Sequence, residues 1–101
     1  MNINLDELKL TDNTSEKQFE INIDDQTAFV EYVVKGDKIY LTHTEVPTAL
    51  QNQGVGSALI AKALKHIKSE KLTLVPSCSF VAAYIDNHPE WHSLLSEGYQ
   101  M

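Results

Sequence analysis

Polar and apolar residues alternate along the first half of the chain with the period of two that is typical of β-strands. Turn-forming residues such as Gly36 separate three segments with this pattern, at residues 18–23, 27–35 and 38–46. Connections this short usually join neighbouring strands. We therefore expect an antiparallel meander of three strands.

The second half of the chain changes to a helical pattern. From residue 54 to residue 69 apolar side chains recur every three or four positions, and lysines occupy the opposite face. A short apolar segment at residues 72–75 reads as another strand. A strand, a helix and a strand in this order predict a crossover between two parallel strands. The expected fold class is α/β with a mixed sheet, in which antiparallel strands precede the crossover.

A shorter helical segment follows the crossover. Ser77 is a favourable N-cap, and we expect a helix over about residues 78–87 that Pro89 stops. A last helical turn is expected around residues 91–95, and Tyr99 is expected to pack at the C-terminus. Together these elements predict one domain spanning residues 1–101.

Composition and charge narrow the class of protein. Nothing in the 101 residues resembles a membrane span or a signal peptide, and Cys78 is the single cysteine, so a cytoplasmic location is expected. The net charge of −6 argues against nonspecific nucleic-acid binding. Residues 1–48 carry ten acidic residues and four lysines. This acidic half either serves solubility or attracts a cationic amine.

A glycine-rich segment at residues 51–57 lies where open α/β sheets bind ligands, beyond the carboxyl ends of the strands. The helix beginning there has no Asp or Glu in its first turn, which leaves its N–H groups to an external anion. The segment is not a Walker loop, because no Gly-Lys-Ser/Thr follows, and Leu59 replaces the third glycine of a dinucleotide fingerprint. The alternative is a plain glycine-rich helix entry.

The residues around this segment resemble a known family over about residues 15–95. The pattern Gln51-x-x-Gly54-x-Gly56 resembles motif A of the GNAT (GCN5-related N-acetyltransferase) superfamily. Further blocks resemble its small YjdJ-type branch, namely residues 43–47, residues 76–81, Tyr84 and residues 88–91. Asn52 departs from the branch, which usually has glycine at this position.

The resemblance implies a minimal acetyltransferase fold that binds acetyl-coenzyme A and acetylates an amine. The loop backbone would hold the pyrophosphate, and the open strand edge would pair with the pantetheine arm as an added strand does. The implied cofactor-binding residues lie on that strand and in the loop: Glu45, Val46, Asn52, Gln53, Gly54, Val55, Gly56 and Ser57. The alternatives are a coenzyme A-binding or partner-binding module without catalysis, and a small α/β domain without a ligand.

Three residues are candidates for the chemistry. Cys78, in the first turn of a predicted helix, could form an acetyl-cysteine intermediate, line the acetyl pocket or simply pack. His43 is the candidate general base, because histidine titrates close to neutral pH, and the alternative is a structural histidine. The superfamily pattern suggests Tyr84 as a general acid, although Ser77 replaces the usual Asn and a core aromatic is the alternative.

Two further expectations follow from residue spacing. In a regular strand His43 shares one face with Ile39, Leu41 and Glu45, which places it on the inward side. His88 and His92 are four residues apart, but Pro89 interrupts the helix and the order is not His-Glu-x-x-His. No metal site is therefore expected.

Overall fold

The computed structural model describes residues 4–95 and contains one mixed sheet with two helices. The strands are β1 (Thr11–Asn13), β2 (Gln18–Ile23), β3 (Gln26–Lys35), β4 (Lys38–Glu45) and β5 (Thr73–Pro76). The helices are α1 (Val55–Ser69) and α2 (Ser79–Asp86), with 3₁₀ segments at Leu5–Glu7, Thr48–Leu50 and Pro89–Leu94. The strand order is β1-β2-β3-β4-β5; the first four pair antiparallel, and β4 pairs parallel with β5. The predicted α/β mixed sheet and its strand–helix–strand crossover are confirmed.

The hydrophobic core lies between α1 and one face of the sheet. On α1 most of the apolar stripe of the 3.6 period is buried, as at Leu59, Ala63 and Leu64. On the sheet, alternate residues of β2 and β3 point toward this helix, beginning with Phe19 and Val30, which pair directly. Fully burying side chains of this kind stabilises a fold by about 1.5–3 kcal/mol each. Packing of α1 therefore decides which face of the sheet is the inner one.

A β-bulge in β4 contradicts the expected position of His43. Glu31 pairs with His43, whereas the next residue, Tyr32, pairs with Leu41, so Thr42 is an extra residue in β4. A bulge residue reverses the alternation of the strand beyond it. As a result Leu41 is buried, whereas His43 is exposed on the opposite face of the sheet. The prediction that they share one face is wrong, and the same reversal moves Glu45 outward.

Several element boundaries differ from the predictions. Strand β1 was not predicted because its residues are all polar, without the alternation of polar and apolar residues that marks a strand. It is a strand because it pairs with β2. The predicted N-cap Ser77 is wrong, since Cys78 is the N-cap of α2. Tyr99 lies outside the described residues. Between residues 4 and 95 no helix is long and apolar enough to cross a membrane.

Candidate functional site

The glycine-rich loop enters α1 through a backbone conformation that favours glycine. Gly54 is the N-cap residue with φ of +80°, in the left-handed region where an L side chain is strained. The Gln51 side-chain amide donates to the Val46 carbonyl at 3.0 Å, and the Gln53 amide donates to the Ala49 carbonyl at 2.9 Å. The two glutamine side chains therefore brace the loop.

The N-terminus of α1 has several N–H groups without a partner. Within residues 4–95 no carbonyl or side chain accepts a hydrogen bond from the N–H groups of residues 53–57. The helix also has no side-chain cap and no acidic residue in its first turn. Unpaired N–H groups and the positive end of a helix dipole favour an anion such as a phosphate. The structure thus shows an uncapped helix entry at this loop, whose free N–H groups suit an anion.

A gap opens between β4 and β5 beside this loop. Their parallel pairing ends at Leu41 and Pro76, whereas β4 continues to Glu45 with β3 on its other side. The edge of β4 beyond Leu41 is therefore not paired with β5. The bulge turns Thr44 toward the helices, and its Oγ1 lies 3.4 Å from Cys78 Sγ. This contact joins β4 to the start of α2.

Three adjoining cavities that share lining residues extend from the loop to this gap, and together they form a groove. Its middle part has a volume of about 450 Å³ and runs between Gly56, Val46 and Phe80. One end, of about 420 Å³, shares Val46 and Gln51 with the middle part and reaches Glu45. The other end, of about 360 Å³, begins at residues of the loop and lies between α1 and α2. Its more distant lining residues are Lys62, Lys65, Tyr84 and His88, with Leu5 and Asp6 on the remaining side.

Phe80 and Thr44 line this groove, although neither was predicted. A Cβ built at Gly56 would lie 2.8 Å from Phe80 Cζ and 3.3 Å from Val46 Cγ2, so the absence of a side chain at Gly56 lets these walls approach. The sequence does carry a signal for Phe80, because it belongs to the block at residues 76–81 that resembles the family. Thr44 carries the same kind of signal through the block at residues 43–47, but its orientation toward the helices depends on the bulge.

The environment of Cys78 favours its thiolate form. Burial raises the pKa of the Cys78 thiol, but hydrogen bonding from Thr44 and interaction with the backbone N–H groups of Val81 and Phe80 outweigh burial and leave this pKa below its ordinary value. The N–H groups belong to the first turn of α2, where the helix dipole also stabilises negative charge. Cys78 is half-buried against the core and stands at the gap between β4 and β5.

We expect the Thr44→Val variant to raise the pKa of Cys78, because valine keeps the shape of threonine but cannot hydrogen-bond to Sγ. The thiolate is the nucleophile toward iodoacetamide, so the pH midpoint of Cys78 alkylation should move to higher pH in this variant. The matched control is Thr42→Val on the same strand, whose hydroxyl donates to the Glu31 carbonyl. Equal midpoints for the wild type and Thr44→Val would contradict the assigned cause.

His43 and Glu45 form a pair outside the helix-covered face. His43 Nε2 lies 3.5 Å from Glu45 Oε1, and the two side chains are 54% and 62% exposed. The His43 ring also lies 6.4 Å from the ring of Phe29. Glu45 lines one end of the groove, whereas His43 is not among the residues that line it. His43 therefore lies next to the groove only because it contacts Glu45, which lines it.

Tyr84 lines the part of the groove between α1 and α2, whereas Cys78 is not among the residues that line the groove. It follows Cys78 by six residues, which is about 9 Å along a helix, and its ring stacks on that of His88 at 3.9 Å. Burial and the nearby Glu90 carboxylate raise the pKa of Tyr84, while a hydrogen bond with Trp91 partly offsets them. The Tyr84 side chain makes no hydrogen bond or ring contact with Cys78 or Thr44, so the structure gives no support to its predicted role as a general acid.

The imidazoles of His88 and His92 contact carbonyls at the end of α2. His88 Nδ1 lies 2.7 Å from the Tyr84 carbonyl oxygen, and His92 Nε2 lies 3.2 Å from that of Ile85. These side chains add a contact to carbonyls that already accept hydrogen bonds from the backbone N–H groups of Asn87 and His88. Among the described residues 4–95 no group of three or more His, Cys, Asp or Glu side chains could hold a metal ion.

Comparisons with known proteins agree with this geometry. A model of the family described as GCN5-related N-acetyl-transferase matches residues 18–94, about three quarters of the chain. Among solved structures, the chain is similar to the NMR solution structure of a GCN5-like protein from Staphylococcus aureus, with 25% sequence identity and a TM-score of 0.67. That similarity covers 92% of this chain and 95% of the other. The matched segment includes the loop, the gap and α2.

Proposed function

Because this chain belongs to the GCN5-related N-acetyltransferase family, we propose that it transfers the acetyl group of acetyl-coenzyme A to an amine acceptor. The match to the family model confirms the resemblance to the GNAT superfamily that the motifs suggested. One observation carries the finer proposal: a groove joins a helix N-terminus with free N–H groups to the unpaired edge of β4. The first feature suits a pyrophosphate, and the second suits an extended amide chain.

The groove fits acetyl-coenzyme A at three places. The N–H groups of residues 53–57 would bind the pyrophosphate, and the backbone at Glu45 and Val46 would pair with the pantetheine amides. Beyond the loop, Lys62 and Lys65 line the part of the groove between α1 and α2, where their charges suit the phosphate on the adenosine ribose. This assignment uses Glu45, Val46 and residues 53–57 of the set predicted from the resemblance; the remaining member, Asn52, lines the middle part of the groove.

We further propose that the amine enters at the Glu45 end of the groove. A carboxylate attracts an ammonium group, but only the neutral amine is a nucleophile, so a proton has to leave first. His43 lies within 3.5 Å of Glu45 and is exposed, which allows it to accept this proton and release it to solvent. The amine nitrogen then forms an amide bond with the acetyl carbon as the thioester C–S bond breaks, and the second proton lost by the nitrogen ends on the departing thiolate.

The proposed function predicts both binding and turnover. Calorimetric titration should show a saturable acetyl-coenzyme A site, and a panel of polyamines and peptides with free lysine or N-terminal amines should contain an acceptor that consumes it. A His43→Gln variant should retain binding and lose turnover by about 10²–10⁴-fold, the usual contribution of a general base. Mass spectrometry of Cys78 after incubation with acetyl-coenzyme A alone tests for an acetyl-cysteine intermediate.

The outcomes separate this proposal from its alternatives. Binding without turnover across the panel would instead support a coenzyme A-binding module without catalysis. Absence of binding would reject the donor, and with it the proposed transfer. A His43→Gln variant with unchanged turnover and an unchanged acid limb of its pH–rate profile would remove His43 from the mechanism but leave the donor assignment intact.

A further inference from the structure

The 3₁₀ segment Leu5–Glu7 packs against the start of α1, beside the glycine-rich loop. Leu5 is half-buried, and its Cδ1 atom would lie 2.9 Å from a Cβ atom built at Gly54, so the leucine rests directly on this glycine. Leu8 is also half-buried against the core. We call residues 4–8 the N-terminal strap. The strap therefore covers the N-cap residue of the helix at which we place the pyrophosphate.

Only apolar packing attaches the strap to the rest of the described chain. Its hydrogen bonds are internal: the Glu7 N–H donates to the Asn4 carbonyl at 3.1 Å, and the Leu8 N–H donates to the Leu5 carbonyl at 3.3 Å. The Asp6 N–H donates to the Asn4 side chain. Between residues 4 and 95 no hydrogen bond or ion pair joins the strap to another element. A segment held by two half-buried leucines opens at a low cost in free energy.

The strap also brings a carboxylate to the part of the groove where we place the ribose phosphate. Asp6 lines this part together with Lys62 and Lys65, whose charges suit that phosphate. In the part of the chain that the structure describes, neither lysine forms an ion pair with Asp6. Like charges repel, so the Asp6 carboxylate opposes a phosphate that enters beside these lysines. Leu5 and Asp6 thus both act against the cofactor, one by its bulk and the other by its charge.

We propose that the N-terminal strap competes with acetyl-coenzyme A and moves away from Gly54 when the cofactor binds. This inference rests on the proposed function, because the strap acts on the same groove. The closed strap reduces the apparent affinity for the cofactor in proportion to the fraction of molecules in which the strap is open. A change that loosens the strap therefore increases this affinity, and the N-terminal segment regulates access of the cofactor to the groove.

Calorimetric titration of the Leu5→Ser variant tests this competition. The variant should bind acetyl-coenzyme A about three- to tenfold more tightly than the wild type, because loss of the leucine side chain loosens the strap. The matched control is Leu72→Ser, since Leu72 is likewise half-buried against the core but does not line the groove. This control should lose stability without gaining affinity.

The outcomes separate the strap from the donor assignment. Equal or weaker binding of acetyl-coenzyme A by Leu5→Ser than by the wild type would overturn the competition and leave the donor assignment intact. Absence of binding in the wild type and in both variants would reject the donor, and the competition with it.

The Asp6→Asn variant measures the effect of charge separately from that of packing. It should bind coenzyme A about two- to fivefold more tightly than the wild type. Its affinity for dephospho-coenzyme A, which lacks the ribose phosphate, should stay close to that of the wild type. Glu7→Gln is the matched control, because it removes the same charge from an exposed neighbour that does not line the groove. Equal gains for the two ligands, or for the two variants, would overturn the role of Asp6.

An NMR measurement follows the strap directly. The free protein should show nuclear Overhauser contacts between the Leu5 methyl groups and Gly54, because the two residues touch. These contacts should disappear when the full chain is saturated with acetyl-coenzyme A. Contacts that persist at saturation would mean that the strap stays in place, and the proposal would be wrong.

Discussion

The Gly54→Glu variant is expected to lose at least about 100-fold in affinity for acetyl-coenzyme A, which corresponds to about 2.7 kcal/mol. Three effects act together at this position. Gly54 has φ of +80°, where a residue with a Cβ atom costs roughly 1–2 kcal/mol. The new Cβ would lie 2.9 Å from Leu5 Cδ1. The carboxylate would also compete with an external phosphate for the N–H groups of α1.

The Gly36→Glu variant is the matched control for this experiment. Gly36 also has a positive φ, of +62°, but a Cβ there has no neighbour within 4 Å, and it lies in the β3–β4 turn away from the groove. Both variants should lower the melting temperature, and only Gly54→Glu should lower the calorimetric affinity, measured below both melting temperatures. If Gly54→Glu binds within about threefold of the wild type, the loop is not the phosphate site.

The Gly56→Leu variant is expected to weaken acetyl-coenzyme A binding by about 30-fold or more, about 2 kcal/mol, without a matching loss of stability. Leucine is favoured over glycine in a helix by roughly 0.5–1 kcal/mol. Its side chain, however, would enter the middle of the groove, where even a Cβ meets Phe80 and Val46. Phe80 is 43% exposed and can move outward, which keeps the cost to stability small.

The double variant Gly56→Leu, Phe80→Ala distinguishes two causes of weak binding: leucine blocking the groove, and leucine distorting the groove by pushing Phe80 away. Removing the Phe80 ring relieves the clash in this variant, so its melting temperature should be at least that of Gly56→Leu. The leucine still fills the groove, and affinity should therefore stay low. Phe80→Ala alone supplies the baseline for loss of the ring. Recovery of affinity in the double variant would mean that the ligand does not pass between Gly56 and Val46.

Much of the fold follows from local sequence patterns. Strands β2, β3 and β4 and helix α1 were predicted within a few residues, because each alternates or repeats with the period that its own burial requires. Strand β1 shows the limit of this approach. Asp12 has no apolar neighbour in β1, and its strand is defined by pairing with Phe19 of β2 and by the hydrogen bond from Tyr32.

Some features of the candidate site could likewise be predicted from local sequence, and others could not. The glycine-rich helix entry could be predicted because glycine spacing and an acid-free first turn are both local properties of the sequence around residues 51–57. The orientation of His43 could not, because it depends on the register between β4 and β3, where one extra residue reverses every side chain beyond Leu41. The same reversal turns Thr44 toward Cys78, 34 positions further along the chain.

The sequence by itself therefore determined the strand and helix pattern, the crossover, the glycine-rich helix entry and the resemblance to the family. Each of these depends on residues close together in the chain. Only the tertiary structure decided which face His43 occupies, that Thr44 meets Cys78, and that Leu5 rests on Gly54. These features arise from strand register and helix packing, which bring together side chains that local periodicity cannot relate.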